Sequence, residues 1–309
     1  VMQKQPYYYL SQTLSMVFVL GLTVLGVRGG IQLKPIGILN ASQYAPSQET
    51  PVVLNSAFTL MRSYGQQGIQ KQSFFKDEKE MYAIFDAQKN YASADSLGNV
   101  LPMQIQNVFV IILESFSAEH IGALTHQKGN KNSDFTPFLD SLAEKSIVFH
   151  GFANGKRSIE GIPAVLASLP TWMTEDFITS QYASDKFNSL ASLLKTEGYN
   201  TSFFHGGKNG TMGFDAFCRS AGFDAYYGKN EYPNQADFDG HWGIWDEPYL
   251  QYIAQTLNKF PKPFMSAVFT LSSHHPYKVP EKYKNKFRKG PLEIQQTIMY
   301  SDYALKKFF

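Results

Sequence analysis

Two stretches hold side chains of a type that can do chemistry. Asn107–Glu119 reads NVFVIILESFSAE, and Phe152–Pro163 reads FANGKRSIEGIP. In the first, an apolar run from Val108 to Leu113 ends in a carboxylate, Glu114. In the second, a hydroxyl, Ser158, follows Gly155-Lys156-Arg157. Glu114 offers oxygen to a hard or borderline divalent metal. It can equally cap the turn at Ser115 and Ser117. Ser158 can act as a nucleophile if its pKa is lowered, and it can equally be an ordinary helix cap. Lys156 and Arg157 can meet a phosphate or form a solvated loop. His205, in FFHGG, and His274, in SSHHPY, add two imidazoles that can donate to a phosphoryl oxygen. The stretch Asp237–His241, DFDGH, is only a fragment of a calcium-loop pattern and lacks the rest.

These residues need elements to position them. Six apolar residues bounded by polar ones fit a strand buried on both faces, as in a parallel sheet. Further strands are expected at Ile147–Phe149, Tyr199–Phe204 and Phe264–Leu271. Helices are expected at Thr136–Lys145, opened by a cap and Pro137, at Ile159–Ser168, Ser189–Glu197, Met212–Ser220, Trp245–Asn258 and from Leu292 onward. Asp246 and Glu247 read as acids that suit the start of the Trp245 helix. Strands alternating with helices predict an α/β fold with a doubly wound, mostly parallel sheet. The carboxyl ends of such strands share one edge, where ligands bind. Glu114, His205 and His274 each fall at a strand end. Ser158 falls at a helix N-terminus, where free N–H groups favour phosphate.

Composition narrows the partners. The chain has 309 residues, 43% hydrophobic and 17% charged, with a net charge of +2. That is a globular balance, and it gives no argument for a nucleic-acid partner. One cysteine, Cys218, excludes an intramolecular disulfide and a Cys-rich zinc site. Tyr7–Val27 has no formal charge, lies between Lys4 and Arg28, and is long enough to span a bilayer core. Tyr7, Tyr8 and Tyr9 suit an interface. A core helix would pass the same length test, whereas a signal peptide lacks its cleavage site here. Residues 1–30 are thus expected to be a transmembrane helix. Residues 31–105, with candidate short helices at Val52–Arg62 and Lys76–Ala92, are expected to be a linker packing on the main domain. Residues 106–309 are expected to be the catalytic domain.

The order of these blocks resembles the lipoteichoic acid synthase-like branch of the sulfatase and alkaline phosphatase superfamily. NVFVIILESFSAEHIGAL, TPFLDSLAEKSIVFHGFANGKRSIEGIPAVLASLP, SLLKTEGYNTSFFHGG, GFDAFCRSAGFD, HWGIWDE and FMSAVFTLSSHHPY carry the likeness. It implies a bacterial inner-membrane protein with several N-terminal spans and an extracytoplasmic, periplasmic catalytic domain. It also implies one divalent metal (Mn2+, Mg2+ or Zn2+) held by Glu114 and Ser158, with Ser158 as nucleophile. His274 would hold the substrate phosphate, with His205, Lys156 and Arg157 near it. The implied reaction is phosphotransfer. A phospholipid donor passes its phosphoglycerol- or phosphoethanolamine-type headgroup through a phosphoserine to an envelope glycan or lipid acceptor. Two departures stand out. The family's Asp-His metal ligands would lie beyond Phe309, leaving the metal site incomplete and the C-terminal part of the domain missing. The family's phosphoglycerol-binding arginine would fall near Phe214.

Two alternatives stay in view. Sulfatases need x-Pro-x-Arg after the modified Cys or Ser, and Ser158-Ile-Glu-Gly-Ile has neither Pro nor Arg there; a phosphoesterase-type hydrolase needs no such motif. A non-catalytic envelope-binding relative would keep the fold and lack the Asp-His pair.

Overall fold

The computed structural model describes residues 6–31, 36–45, 49–65, 68–69, 73–85, 105–126, 134–149, 151–153 and 155–309. Part of the expected linker, and residues 86–92 of its second expected helix, lie outside them. Ahead of the sheet come helices α1 (Pro6–Arg28), α2 (Thr50–Val53), α3 (Ser56–Ser63) and α4 (Glu78–Ile84). The expected Val52–Arg62 helix is two pieces, because Asn55 starts a new helix by accepting from the Phe58 N–H at 2.8 Å.

The α/β body follows. Strand β1 (Val108–Ile112) leads into α5 (Gly122–His126), α6 (Pro137–Ala143) and α7 (Ser158–Ala167). Helix α8 (Leu190–Thr196) precedes β2 (Asn200–His205), and α9 (Phe214–Ser220) precedes β3 (Ala225–Tyr227). Helix α10 (Asp246–Leu257), β4 (Phe264–Phe269) and α11 (Ile294–Phe308) complete it. The four strands are all parallel in the order β1-β4-β2-β3. Each strand alternates its side chains between two cores. Phe203, Met265, Ala267 and Phe269 meet α7, α8 and α9 on one face. Phe204, Phe264 and Val268 meet α10 and α11 on the other, joined by Phe138 and Leu139 of α6. Covering both faces is why β4 is buried along its full length. Each fully buried Phe contributes roughly 1.5–3 kcal/mol, which favours β2 and β4 as the centre. Helices on both faces of a parallel sheet are the doubly wound arrangement the sequence predicts.

One expected strand does not form. Ile147–Phe149 has no ladder partner among the described residues, and Ile147 and Phe149 are 81% and 82% exposed. β-branched and aromatic residues make that stretch read as a strand, but a strand needs a neighbour to pair with. No described residue of α1 is buried, unlike those of a core helix.

Candidate functional site at the carboxyl edge of the sheet

The strand register sets the site's floor. Ile112, Phe269 and His205 lie level at the ends of β1, β4 and β2. The Thr270 N–H donates to the Ile112 carbonyl at 3.1 Å, extending the β1–β4 ladder by one step. The Glu114 N–H then donates to Thr270 Oγ1 at 3.0 Å. Ser115 follows at φ 59°, a left-handed turn that ends the run. Glu114 is thereby fixed at the sheet edge, 9% exposed.

Ser158 is the first residue of α7. Its hydroxyl donates to Glu114 Oε2 at 2.6 Å, across 44 residues of sequence. The Ser115 hydroxyl donates to the other oxygen, Oε1, at 2.8 Å. The two residues singled out from separate stretches thus meet. Glu160, in the first turn of α7, folds back and accepts the N–H groups of Lys156 and Arg157 at 2.8 and 3.0 Å. That is a capping interaction, and Arg157 holds the Glu160 carboxyl below its ordinary range. Gly155 is needed there. A Cβ on it would sit 2.6 Å from Glu160 Cβ and 2.9 Å from Thr171 Oγ1.

The other expected residues are placed less uniformly. Arg157 pairs with Glu160 and Asp176, so its guanidinium is engaged within the protein. Lys156 is exposed beside it. His274 is half-buried on the turn after β4, its ring under Trp242 with centroids 3.9 Å apart. His205 is completely buried, stacked on Phe269 and edge-on to Phe214. The expected contact between His205 and a ligand is therefore not made by an exposed ring. Its Nε2 has no hydrogen-bond partner, and Gly207 lies so close that a Cβ there would be 2.7 Å from that atom. Burial pushes the His205 imidazole down to about 4. The DFDGH stretch is used locally. Asp239 Oδ1 accepts the N–H groups of His241, Trp242 and Gly243, and Asp237 Oδ2 accepts from Tyr232 and Asn234.

Among the described residues, no three His, Cys, Asp or Glu side chains are grouped to hold a metal. Glu114 and Ser158 still fit one part of a hard-cation site, because a carboxylate and a hydroxyl 2.6 Å apart present oxygen donors side by side. Sequence reasoning passed over Thr270, which orients Glu114, and Asp176, which takes up Arg157. Neither stands at a conspicuous spacing.

A parallel sheet with helices on both faces, presenting a helix-first hydroxyl to a strand-end carboxylate, defines an α/β protein with its candidate site at the carboxyl edge of the sheet. The sulfatase family model matches residues 106–309, and the chain belongs to that family. It is similar to the lipoteichoic acid synthase-like protein YvgJ of Bacillus subtilis, 26% identical over 76% of this chain and 38% of that one. Lipoteichoic acid synthase 2 of the same organism is 23% identical over 75% of this chain and 35% of its own length. Among solved structures, an alkaline phosphatase superfamily protein from Vibrio parahaemolyticus aligns at TM-score 0.60 and 32% identity. That alignment covers 68% of this chain and 50% of that one. The Listeria monocytogenes lipoteichoic acid synthase LtaP shares the fold at TM-score 0.55 and 19% identity, over 66% of this chain and 51% of that one. The chain therefore spans under two-fifths of these curated relatives and about half of these solved ones.

Proposed function

We propose that the chain is part of a membrane-anchored phosphotransferase that moves a phospholipid headgroup to an envelope glycan or lipid. The observation that carries this reading is the 2.6 Å hydrogen bond from Ser158 Oγ to Glu114 Oε2 at the sheet edge. The lipoteichoic acid synthases among its relatives support the donor and acceptor classes.

In this reading Ser158 Oγ attacks the donor phosphorus. An O–P bond forms, the bond to the diacylglycerol oxygen breaks, and the Ser158 proton ends on that oxygen. An acceptor hydroxyl then attacks the phosphoserine, and Ser158 recovers its proton. Glu114 orients Oγ before the first step through its hydrogen bond, and Thr270 holds Glu114. The N–H groups of Ser158 and Ile159, which precede the first internal bond of α7, face developing phosphoryl charge. His274 donates to a phosphoryl oxygen. Glu114 and Ser158 would supply part of the sphere of a divalent cation, whose charge would favour the serine alkoxide. His205 supports the site from beneath. The catalytic domain, residues 106–309, faces the periplasm in this reading.

The test uses the full-length protein with labelled phosphatidylglycerol and phosphatidylethanolamine. Ser158→Ala should reduce diacylglycerol release by about a thousandfold or more, since no nucleophile remains. Acid quenching of the wild type should trap label on Ser158. Unchanged turnover in the variant would place the nucleophile elsewhere. Release of free headgroup phosphate without transfer would make the protein a hydrolase.

A further inference from the structure

The residue after Trp245 looks from sequence like an acid that opens a helix. Its surroundings say more. Asp246 is 3% exposed, and its described partners include no lysine or arginine. Its neighbour Glu247 is different, with Lys282 at 3.0 Å and Lys307 at 2.6 Å. A buried carboxylate without a cation is costly unless hydrogen bonds satisfy it. Asp246 Oδ1 accepts two consecutive backbone N–H groups, those of Leu271 at 2.9 Å and Ser272 at 3.2 Å. Oδ2 accepts the Ser301 hydroxyl at 2.7 Å. In return the Asp246 N–H donates to Ser272 Oγ at 2.9 Å. The Ser273 and Ser301 hydroxyls lie 3.1 Å apart.

Those contacts converge on the chain just past the end of β4. The His274 N–H donates to the Leu271 carbonyl at 3.1 Å, so the His274 turn hangs from the residue whose N–H Asp246 holds. On the opposite side the Trp242 indole N–H donates to the His275 carbonyl, and its ring covers His274. We infer that Asp246 is a positioning residue that fixes the Leu271–Ser272 backbone and so sets where His274 presents its imidazole. The inference rests on the reading of His274 as a phosphate ligand.

The test compares Asp246→Ala, Asp246→Asn, His274→Ala and the double variant Asp246→Ala/His274→Ala in the full-length protein, with labelled phosphatidylglycerol as donor. Asp246→Ala should raise the donor KM about tenfold or more. Asparagine can accept the same two N–H groups on Oδ1 and donate to Ser301 from Nδ2, so Asp246→Asn should stay within about threefold of wild type. The double variant should be no worse than His274→Ala alone, because residues acting through one group are not additive. Losses that multiply in the double variant, or an asparagine variant as poor as alanine, would overturn the positioning role while leaving His274 in place. An inert His274→Ala would overturn both readings. If Asp246→Ala fails to fold, Ser272→Ala replaces it, removing the acceptor of the Asp246 N–H and the hydroxyl beside the Asp246 carboxyl. A smaller rise in KM that disappears in the His274→Ala background is then expected, and an additive effect would sink the role.

Discussion

At the scale of residues, the site contrasts two kinds of buried polar group. Glu114 is satisfied twice over, by Ser158 and Ser115. His205 is left with one buried nitrogen unpaired. That difference has a measurable consequence for stability against pH. The folded imidazole is depressed to about 4, whereas an unfolded histidine takes its proton near 6.5. Below 6.5 the unfolded chain binds a proton that the folded chain refuses, so stability falls as pH drops, levelling off below about 4. The full loss is about 3 kcal/mol. Denaturant titrations between pH 7 and 5 should show the wild-type midpoint falling more steeply than that of His205→Gln. Parallel curves would mean that the histidine is not held neutral. The comparison with His205→Gln isolates the histidine, because Asp302, raised to about 6 by burial, titrates in the same window in both proteins.

At the scale of elements, α6 shows how distant chain is used to end a helix properly. It has seven residues, Pro137 at its start, and an N-cap, Thr136, that makes no side-chain cap bond. Asp302 of α11 does that work instead, accepting the N–H groups of Phe138 and Leu139 at 3.0 and 2.9 Å. Asp302→Ala should therefore cost about 1–2 kcal/mol, the usual value of a lost cap, and loosen α6 from α11. Hydrogen exchange at Phe138 and Leu139 should rise more than exchange in β2; equal protection in wild type and variant would refute the cap. Such a contact spans 164 residues and leaves no local signal. The elements that were legible are the ones local pattern dictates. The apolar run Val108–Leu113 marked β1, Pro137 marked the α6 entry, and Gly198 closed α8. β3 was missed because Ala225–Tyr227 is three residues at the sheet edge. Ile147–Phe149 was misread because its β-forming composition says nothing about whether a neighbour exists. At the site, Glu114 and Ser158 were visible as residue types at element ends, and the hydrogen bond between them follows from the parallel topology. Thr270 was not visible and Asp246 was visible only as an acid opening α10, since their contacts depend on the β4 end meeting β1 and α10.

At the scale of the whole molecule, the question is what would hold the proposed site near a lipid donor. Helix α1 runs 23 residues, about 34 Å at 1.5 Å per residue, against a hydrocarbon core of about 30 Å. None of it is buried in the protein, and its exposed side chains include Leu14, Phe18, Leu20 and Leu22. A core helix this apolar is mostly buried, and among the described residues α1 packs against no core. Arg28 closes its last turn, where a cation suits the helix dipole and an interface. In the proposed reading, tethering the α/β body to a bilayer through α1 raises the effective concentration of a lipid donor without any new contact. The anchoring can be broken without touching the α/β body, because α1 contributes to neither core. Arginine at the centre of a spanning helix costs about 2.5–3.5 kcal/mol per substitution. Val17→Arg with Leu20→Arg should therefore shift the chain from the membrane fraction to the soluble fraction. Its circular dichroism and melting should stay those of the parent, because α1 packs in neither core. A double variant that still pellets with membranes and resists alkaline extraction would show that the chain is held there by something other than α1.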